Sequence, residues 1–341
     1  MNRQSVRKTL LASGGIVAAG LVFLSWTTLT AFSSEEGTSL LYIDQDDTAD
    51  SVYHKLNDVA SAGKVPVFRL AASLTGYASH VRPGCYNVGD GANLLTVFRR
   101  LRGGLQTPVS LTIPNVRTME QLAARLSRQL AADSATLARA FRDTALCAQF
   151  DCDTATLPCL FIPNTYEVFW TISATDLLKR MQRESQAFWT DGRKAKAREA
   201  GLTEKEVITL ASIVDQETAN NAEKPAIAGM YLNRLKQGMK LQADPTVKFA
   251  LRDFALRRIM HEHLTVDSPY NTYLYEGLPP GPIDIPSVES IDAVLNFAHH
   301  DYIYMCAKED FSGTHNFAKT YAEHLQNAAR YAKALNERNI H

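Results

Sequence analysis

From Thr9 to Ser34 the chain runs 26 positions without a charged residue, and no other feature limits its folding so sharply. A helix needs about 20 apolar residues to cross a hydrocarbon core. Residues 9–32, TLLASGGIVAAGLVFLSWTTLTAF, are long enough. The leader, residues 1–8, carries Arg3, Arg7 and Lys8, and the far side begins Ser34-Glu35-Glu36. Positive charge stays in the cytoplasm, so the pattern predicts a single-pass membrane anchor over 9–32. The N-terminus is then cytoplasmic and the body of the chain lies outside, periplasmic or otherwise extracytoplasmic. Trp26 near the outer end suits an interfacial aromatic. A cleaved signal peptide would have a shorter apolar region, about 7–15 residues, and a small-residue cleavage site. The run here is longer and has no clean site, which favours an uncleaved anchor.

Lys+Arg and Asp+Glu number 36 each, so the formal net charge is zero. A neutral chain has no global field to hold a polyanion, and no basic patch with interleaved aromatics occurs. Nucleic acid is therefore excluded as a partner. The five cysteines are Cys85, Cys147, Cys152, Cys159 and Cys306. An odd count leaves at least one thiol unpaired; Cys147, Cys152 and Cys159 are close enough in sequence for one local bridge, and their spacing fits no zinc template. His261-Glu262-His263 and His299-His300-Asp301 have a spacing that fits a strand rather than the metal-binding H-E-x-x-H helix. No metal is expected.

The length of 341 residues suggests about two domains. After a polar linker at 34–38, a short strand is predicted at 39–43, helices at 51–59 and 67–77, and a strand at 85–88. A helix at 92–101 and a strand at 109–113 follow. Thr118 and Gln121 form a capping box that opens a helix to about 130. Helices are predicted at 134–146 and 175–198, separated by an aromatic- and turn-rich loop around 160–166. Thr203 and Glu206 form a second capping box that starts a helix over 204–218. Pro225 suits the first turn of the next helix, which reaches about 238. Residues 241–287 are loop-rich, and long ordered loops are often functional. A helix at 288–298, a strand at 301–307 and a final helix from about 319 complete an α+β fold.

The helix over 204–218 carries Leu210, Ile213 and Val214 as its apolar stripe, flanked by Val207 and Ala211. Glu217 continues that stripe at the C-terminal end. Asp215, about 200° round the helix from it, faces elsewhere. A carboxyl on an apolar face loses hydration and its pKa rises. The negative end of the helix dipole pushes the same way. A carboxylic acid still protonated near neutral pH is what a general acid needs. The plainer alternative is a glutamate that ends the stripe and salt-bridges Lys224 or Arg234.

The block around Glu217 resembles the endolytic murein transglycosylases, the MltG (YceG-like) family. The matching pieces are Leu210-Ala211-Ser212-Ile213-Val214, Glu217-Thr218, Asn233-Arg234-Leu235, Gly238-Met239, Leu241-Gln242 and Asp244-Pro245-Thr246-Val247. Pro269-Tyr270-Asn271-Thr272-Tyr273 with Gly277–Ile283 (GLPPGPI) is similar to a second signature of that family. Tyr302-Ile303-Tyr304 with Thr314-His315-Asn316-Phe317 is similar to a third, and Pro163-Asn164-Thr165-Tyr166 to an upstream segment. The resemblance is strong from about 160 to 320 and weaker over 40–115, where the family carries a LysM-like module.

This resemblance implies a LysM-like βααβ module over 37–107 and a catalytic domain over 108–341. It implies lytic cleavage of the MurNAc–GlcNAc bond inside peptidoglycan glycan strands, with Glu217 as the catalytic residue and no cofactor. Tyr166, Asn233, Gln242, Asp244, Thr246, Asn271, Thr272, Tyr273 and His315 become the expected substrate-binding residues. Arg234 either supports Glu217 or pairs with Glu223. Penicillin-binding proteins or other wall-synthesis proteins are implied as partners. Two rival readings are a muramidase that uses water, with Asp244 as second carboxylate, and a catalytically silent wall-binding scaffold.

Overall fold

The structure, a computed structural model, describes residues 18–33, 37–256 and 258–338. The chain forms two compact units. The first comprises the described residues up to Leu111 together with Gln129–Ala131 and Glu167–Ile172. The second comprises Thr112–Arg128, Ala132–Tyr166 and the chain from Ser173 onward. The fold is mixed α and β.

In the first unit, β1 (Leu40–Ile43) pairs antiparallel with β2 (Gly84–Asn87), Leu40 opposite Asn87 and Ile43 opposite Gly84. Between them run α2 (Ala49–Val59) and α3 (Lys64–Thr75), and α4 (Leu94–Gly103) follows. Each helix turns one apolar stripe inward: Val52 and Leu56, then Val65, Phe68 and Ala72, then Leu94, Val97, Phe98 and Leu101. Phe68 sits at the centre, edge-on to Phe32, Tyr53, Tyr77 and Phe98.

The leader and residues 9–17 of the expected anchor lie outside the described residues. Residues 18–29 form helix α1, which leaves Leu21, Val22, Trp26 and Leu29 largely exposed. Among the described residues no helix is long and apolar enough to cross a membrane. The chain after α1 is not a free linker. Phe32 is fully buried in the unit's core, and Ala31 and Ser33 make bridges to Asn93 and Ala60. Lys64, 1% exposed, spends its ammonium on the end of α1: Nζ donates to the carbonyls of Thr27 (2.6 Å) and Thr30 (3.0 Å) and to Thr30 Oγ1 (2.6 Å). A cation there meets the carbonyls that a helix end leaves unpaired. Of the expected linker, 34–36 lie outside the described residues, while Gly37 O accepts from Asp90 N and Thr38 Oγ1 donates to Asp90.

Strands β3 (Val109–Ile113) and β4 (Asn164–Val168) pair with each other. The segment expected as a loop around 160–166 thus ends in a strand. The second unit holds α5 (Met119–Leu126), α6 (Ser134–Arg142) and α7 (Thr144–Ala148), then α8 (Ala174–Phe188) and α9 (Asp191–Glu199). Two predicted helices are therefore four. Asp143 breaks the first, its carboxylate accepting from Ala145 N and Leu146 N at the start of α7. Thr190 breaks the second by capping α9.

At the centre stand α10 (Glu204–Glu217), α11 (Lys224–Lys236) and α13 (Val288–Leu295). Val207 through Val214 of α10 are all buried, so this helix is enclosed on every side rather than along one stripe. It starts with the full capping box of Thr203 and Glu206. Gly229 of α11 lies so close to the Ala298 carbonyl that a Cβ would come within 2.2 Å of it, which requires glycine. Helix α12 (Asp244–Leu251) occupies part of the region expected to be loop, with Pro245 in its first turn. Strands β5 (Tyr304–Ala307) and β6 (His315–Ala318) form an antiparallel pair, and α14 (Tyr321–Glu337) is the last helix among the described residues. His261-Glu262-His263 lies in a 3₁₀ turn, not a strand. Among the described residues no group of three His, Cys, Asp or Glu is placed to hold a metal. All five cysteines are free thiols, so the local bridge considered for Cys147, Cys152 and Cys159 is not formed.

Candidate active site

Glu217 is the last residue of α10, and Thr218 turns the chain into extended backbone immediately after it. The residue as a whole is half-buried. Its Oε1 accepts from Tyr231 OH at 2.5 Å, and Tyr231 on α11 is 1% exposed. Burial pushes the Glu217 carboxyl up from 4.5 to about 6. The Tyr231 bond opposes the rise, the negative charge of Asp244 adds to it, and His315 and Arg234 oppose it. Desolvation wins because the neutral acid loses less hydration on burial than the carboxylate does. The salt bridge considered as an alternative does not form.

Lys224 pairs instead with Asp215, Nζ to Oδ1 at 2.7 Å, both side chains less than a tenth exposed. Asp215 is therefore not a solvent-facing residue. It accepts from Ser287 Oγ (2.8 Å) and Ser287 N (3.2 Å), and also from Ser290 Oγ and Asn115 Nδ2. Burial alone would raise its pKa, but the bonds from Lys224, Ser290 and Ser287 outweigh it and hold the carboxyl below the usual range. This buried pair fixes the last turn of α10 against the starts of α11 and α13.

Arg234 forms an ion pair with neither Glu217 nor Glu223, and its charge acts on Glu217 only through space. Its Nε donates to Ile303 O (2.6 Å) and its Nη1 to Leu241 O (2.7 Å), so it ties down the chain on either side of the glutamate's surroundings. Glu223 belongs to His315: its carboxylate accepts from His315 N (2.6 Å) and meets His315 Nδ1 at 3.0 Å.

The expected sugar-binding residues separate into two sets. Gln242 and Asp244 are exposed, and Tyr273 and His315 are half-buried. Tyr273 OH donates to Asp244 Oδ1 at 2.6 Å. Gln242 sits at φ +50°, where residues other than glycine are uncommon. Such outliers persist where the surrounding structure imposes them, often at working sites.

The second set is already hydrogen-bonded within the fold. Tyr166 is buried and its OH donates to Ile162 O (2.7 Å). Asn233 gives its amide protons to His300 O (2.6 Å) and Tyr302 O (3.0 Å). Asn271 is fully buried; its Nδ2 donates to Leu264 O and Val266 O, and its Oδ1 accepts from Tyr273 N. Thr246 and Thr272 are buried hydroxyls bonded to each other at 2.8 Å, and Thr272 Oγ1 also accepts from Ala243 N. These five satisfy main-chain groups that the ordered loops would otherwise leave unpaired. They shape the wall around the site.

Tyr231 and Glu223 are the neighbours that the sequence does not reveal. Tyr231 reads as one more core residue of α11 beside Ile227, Met230 and Leu232. Its partner is recognisable only once α10 and α11 are packed together. Tyr231→Phe removes a bond that favours the ionised form of Glu217. The acid form should then persist to higher pH, moving the alkaline limb of the activity profile upward. Loss of a hydrogen bond to a charged group should also cost about 1.5–3 kcal/mol of stability at pH 8, read by thermal unfolding.

The arrangement offers one proton-bearing carboxyl at the edge of a packed core, a phenol to stabilise it once ionised, and a second carboxylate, Asp244, held by a phenol of its own. A profile of the YceG-like family matches residues 41–330. An endolytic murein transglycosylase of Bacillus subtilis is 29% identical over 300 residues, which is 83% of this chain and 81% of that protein. An endolytic murein transglycosylase of Streptococcus pneumoniae is 26% identical over 303 residues, 79% of this chain and 54% of that longer protein. The crystal structure of a yceG-like protein from Listeria monocytogenes matches with a TM-score of 0.57 at 25% identity, covering 85% of this chain and 98% of that one.

Proposed function

We propose, on the premise that the chain belongs to the YceG-like family, that it is an endolytic peptidoglycan lytic transglycosylase with Glu217 as its acid and base. The observation that carries the reading is the desolvated carboxyl at the end of α10, kept protonated to about pH 6 and bonded to Tyr231. Glu217 protonates the oxygen between N-acetylmuramic acid and N-acetylglucosamine, and the C1–oxygen bond breaks. The positive charge that develops at C1 is met by the sugar's own N-acetyl oxygen. Glu217, now a carboxylate stabilised by the Tyr231 hydroxyl, takes the proton from the C6 hydroxyl of the same muramic residue. That oxygen closes on C1 and leaves a 1,6-anhydro end. The intramolecular hydroxyl competes well with water because its effective concentration is high. Gln242, Asp244, Tyr273 and His315 are the side chains available to orient the strand.

The reading extends to the rest of the chain. Residues 37–107 act as a LysM-like wall-binding module and 108–341 as the catalytic domain. Residues 9–32 anchor the protein in the cytoplasmic membrane with the body outside, beside penicillin-binding proteins and other wall-synthesis proteins. The uncharged run and its basic leader support the anchor.

Digestion of purified sacculi with the full chain in detergent, followed by mass spectrometry, tests the chemistry. Anhydro-muropeptides are expected. Products heavier by one water would instead make the protein a muramidase with Asp244 as the second carboxylate. Sacculi that are bound but release nothing would make it a scaffold.

A further inference from the structure

In the second unit a cleft of about 510 Å³, whose walls do not include Glu217, brings together Arg117, Arg142 and Arg252. Arg142 is engaged by Glu120, Nη2 to Oε1 at 2.8 Å. The other two make no ion pair among the described residues. Arg117 donates from Nε to the neutral amide of Gln216 (3.1 Å). The Arg252 guanidinium lies over the Phe249 ring at 4.5 Å, and that ring packs on Tyr270 at 4.7 Å. The charge is thus held on an aromatic platform with its donor edge uncommitted. Arg252 itself sits at φ +55° in the left-handed cap of α12, a place that favours glycine.

Asp284 at the cleft wall is 2% exposed; Oδ2 accepts from Gln216 Nε2 at 2.5 Å and Oδ1 is buried with no partner. Burial, with the charge of Asp215 nearby, pushes its carboxyl well above the usual range, against the bond from Gln216 and the charges of Arg117 and Lys224. A smaller cavity of about 70 Å³ shares Arg117 and Phe249 with the cleft and is walled also by Gln216 and Pro245. Those two residues are the chain neighbours of Glu217 and Asp244.

We propose that this cleft binds the peptide branch of the glycan strand, gripping a carboxylate on Arg252 and Arg117 and aliphatic groups on Phe249 and Tyr270. The inference rests on the reading of Glu217 above, because the muramic acid cut there carries a peptide that leaves the sugar sideways and bears carboxylates. Guanidinium groups match carboxylates edge to edge, and the volume suits a short peptide.

Two measurements test it. The full chain carrying Glu217→Gln is titrated by calorimetry with a synthetic stem pentapeptide and with the same peptide amidated at every carboxylate. The free-acid peptide should bind at least about tenfold more tightly, the range of one to two charged hydrogen bonds. Adding Arg117→Ala and Arg252→Ala should abolish that binding, and Arg252→Lys alone should retain part of it. Equal binding of the two peptides, or undiminished binding by the double arginine variant, overturns the proposal. In the second measurement, the wild-type chain is given strands with their peptides and strands stripped by an amidase. The rate ratio should exceed about tenfold and fall toward one in the double arginine variant. A wild-type ratio near one overturns the cleft proposal even where cleavage proceeds. Cleavage that survives Glu217→Gln overturns the reading of Glu217 instead and leaves the peptide titration to be judged by itself.

Discussion

Glu217→Gln should slow the cleavage of glycan strands by about 10²–10⁴-fold, the usual worth of general acid–base catalysis, while the fold survives. The amide has the shape of the acid and can still accept from Tyr231 OH. It cannot release a proton to the leaving oxygen. In the wild type the rate should fall as pH rises through about 6, because the acid form is then lost. The same value fixes a stability signature. A folded pKa of about 6 against an ordinary 4.5 means that the fold favours the protonated carboxyl. That stabilisation is full below pH 4.5 and is lost as pH rises through 6. Above that, the ionised group costs up to about 2 kcal/mol, less whatever solvent screens through its open face. The variant should therefore melt at or above the wild-type temperature at pH 8, with the gap closing below pH 4.5. Activity that persists, or a variant several degrees less stable at pH 8, would remove Glu217 from its role.

The second large effect is structural. Lys224→Met leaves the Asp215 carboxylate buried without its cation, and breaking such a pair costs about 3–5 kcal/mol. For a domain of this size that is a fall in melting temperature on the order of 10 °C. Asp215 also receives Ser287 and Ser290 at the start of α13, so the loss should loosen the end of α10 and lower activity along with stability. Adding Asp215→Asn to the same chain should recover part of the stability, since no charge is then stranded. Unchanged melting in the single variant would show that the pair contributes little.

The central helix is legible from local chemistry alone. Thr203 and Glu206 announce its start, the apolar spacing carries it forward, and Glu217 is seen to end it. Its all-round burial is less visible, because Thr209 and Ser212 interrupt the apolar run; Ser212 Oγ donates to Thr209 O and accepts from Ile283 N inside the core. The Asp244-Pro245 pair reads as a turn, yet proline in a first turn lacks only an N–H that would be unpaired anyway, and a helix follows. Strand β6 is hidden because its residues are neither strongly apolar nor alternating; pairing with β5 decides it. The wall residues are the least legible in the sequence. Asn271, Thr246, Thr272, Asn233 and Tyr166 have the polarity of sugar-binding side chains. Their hydrogen bonds go to buried backbone and to one another, a demand that exists only after the loops are folded.

Lys64 welds the last turn of α1 to the first unit, and Phe32 is sunk in that unit's core. Were residues 9–32 the anchor proposed above, this joint would leave the chain no slack with which to swivel, and the first unit would keep one fixed heading relative to α1.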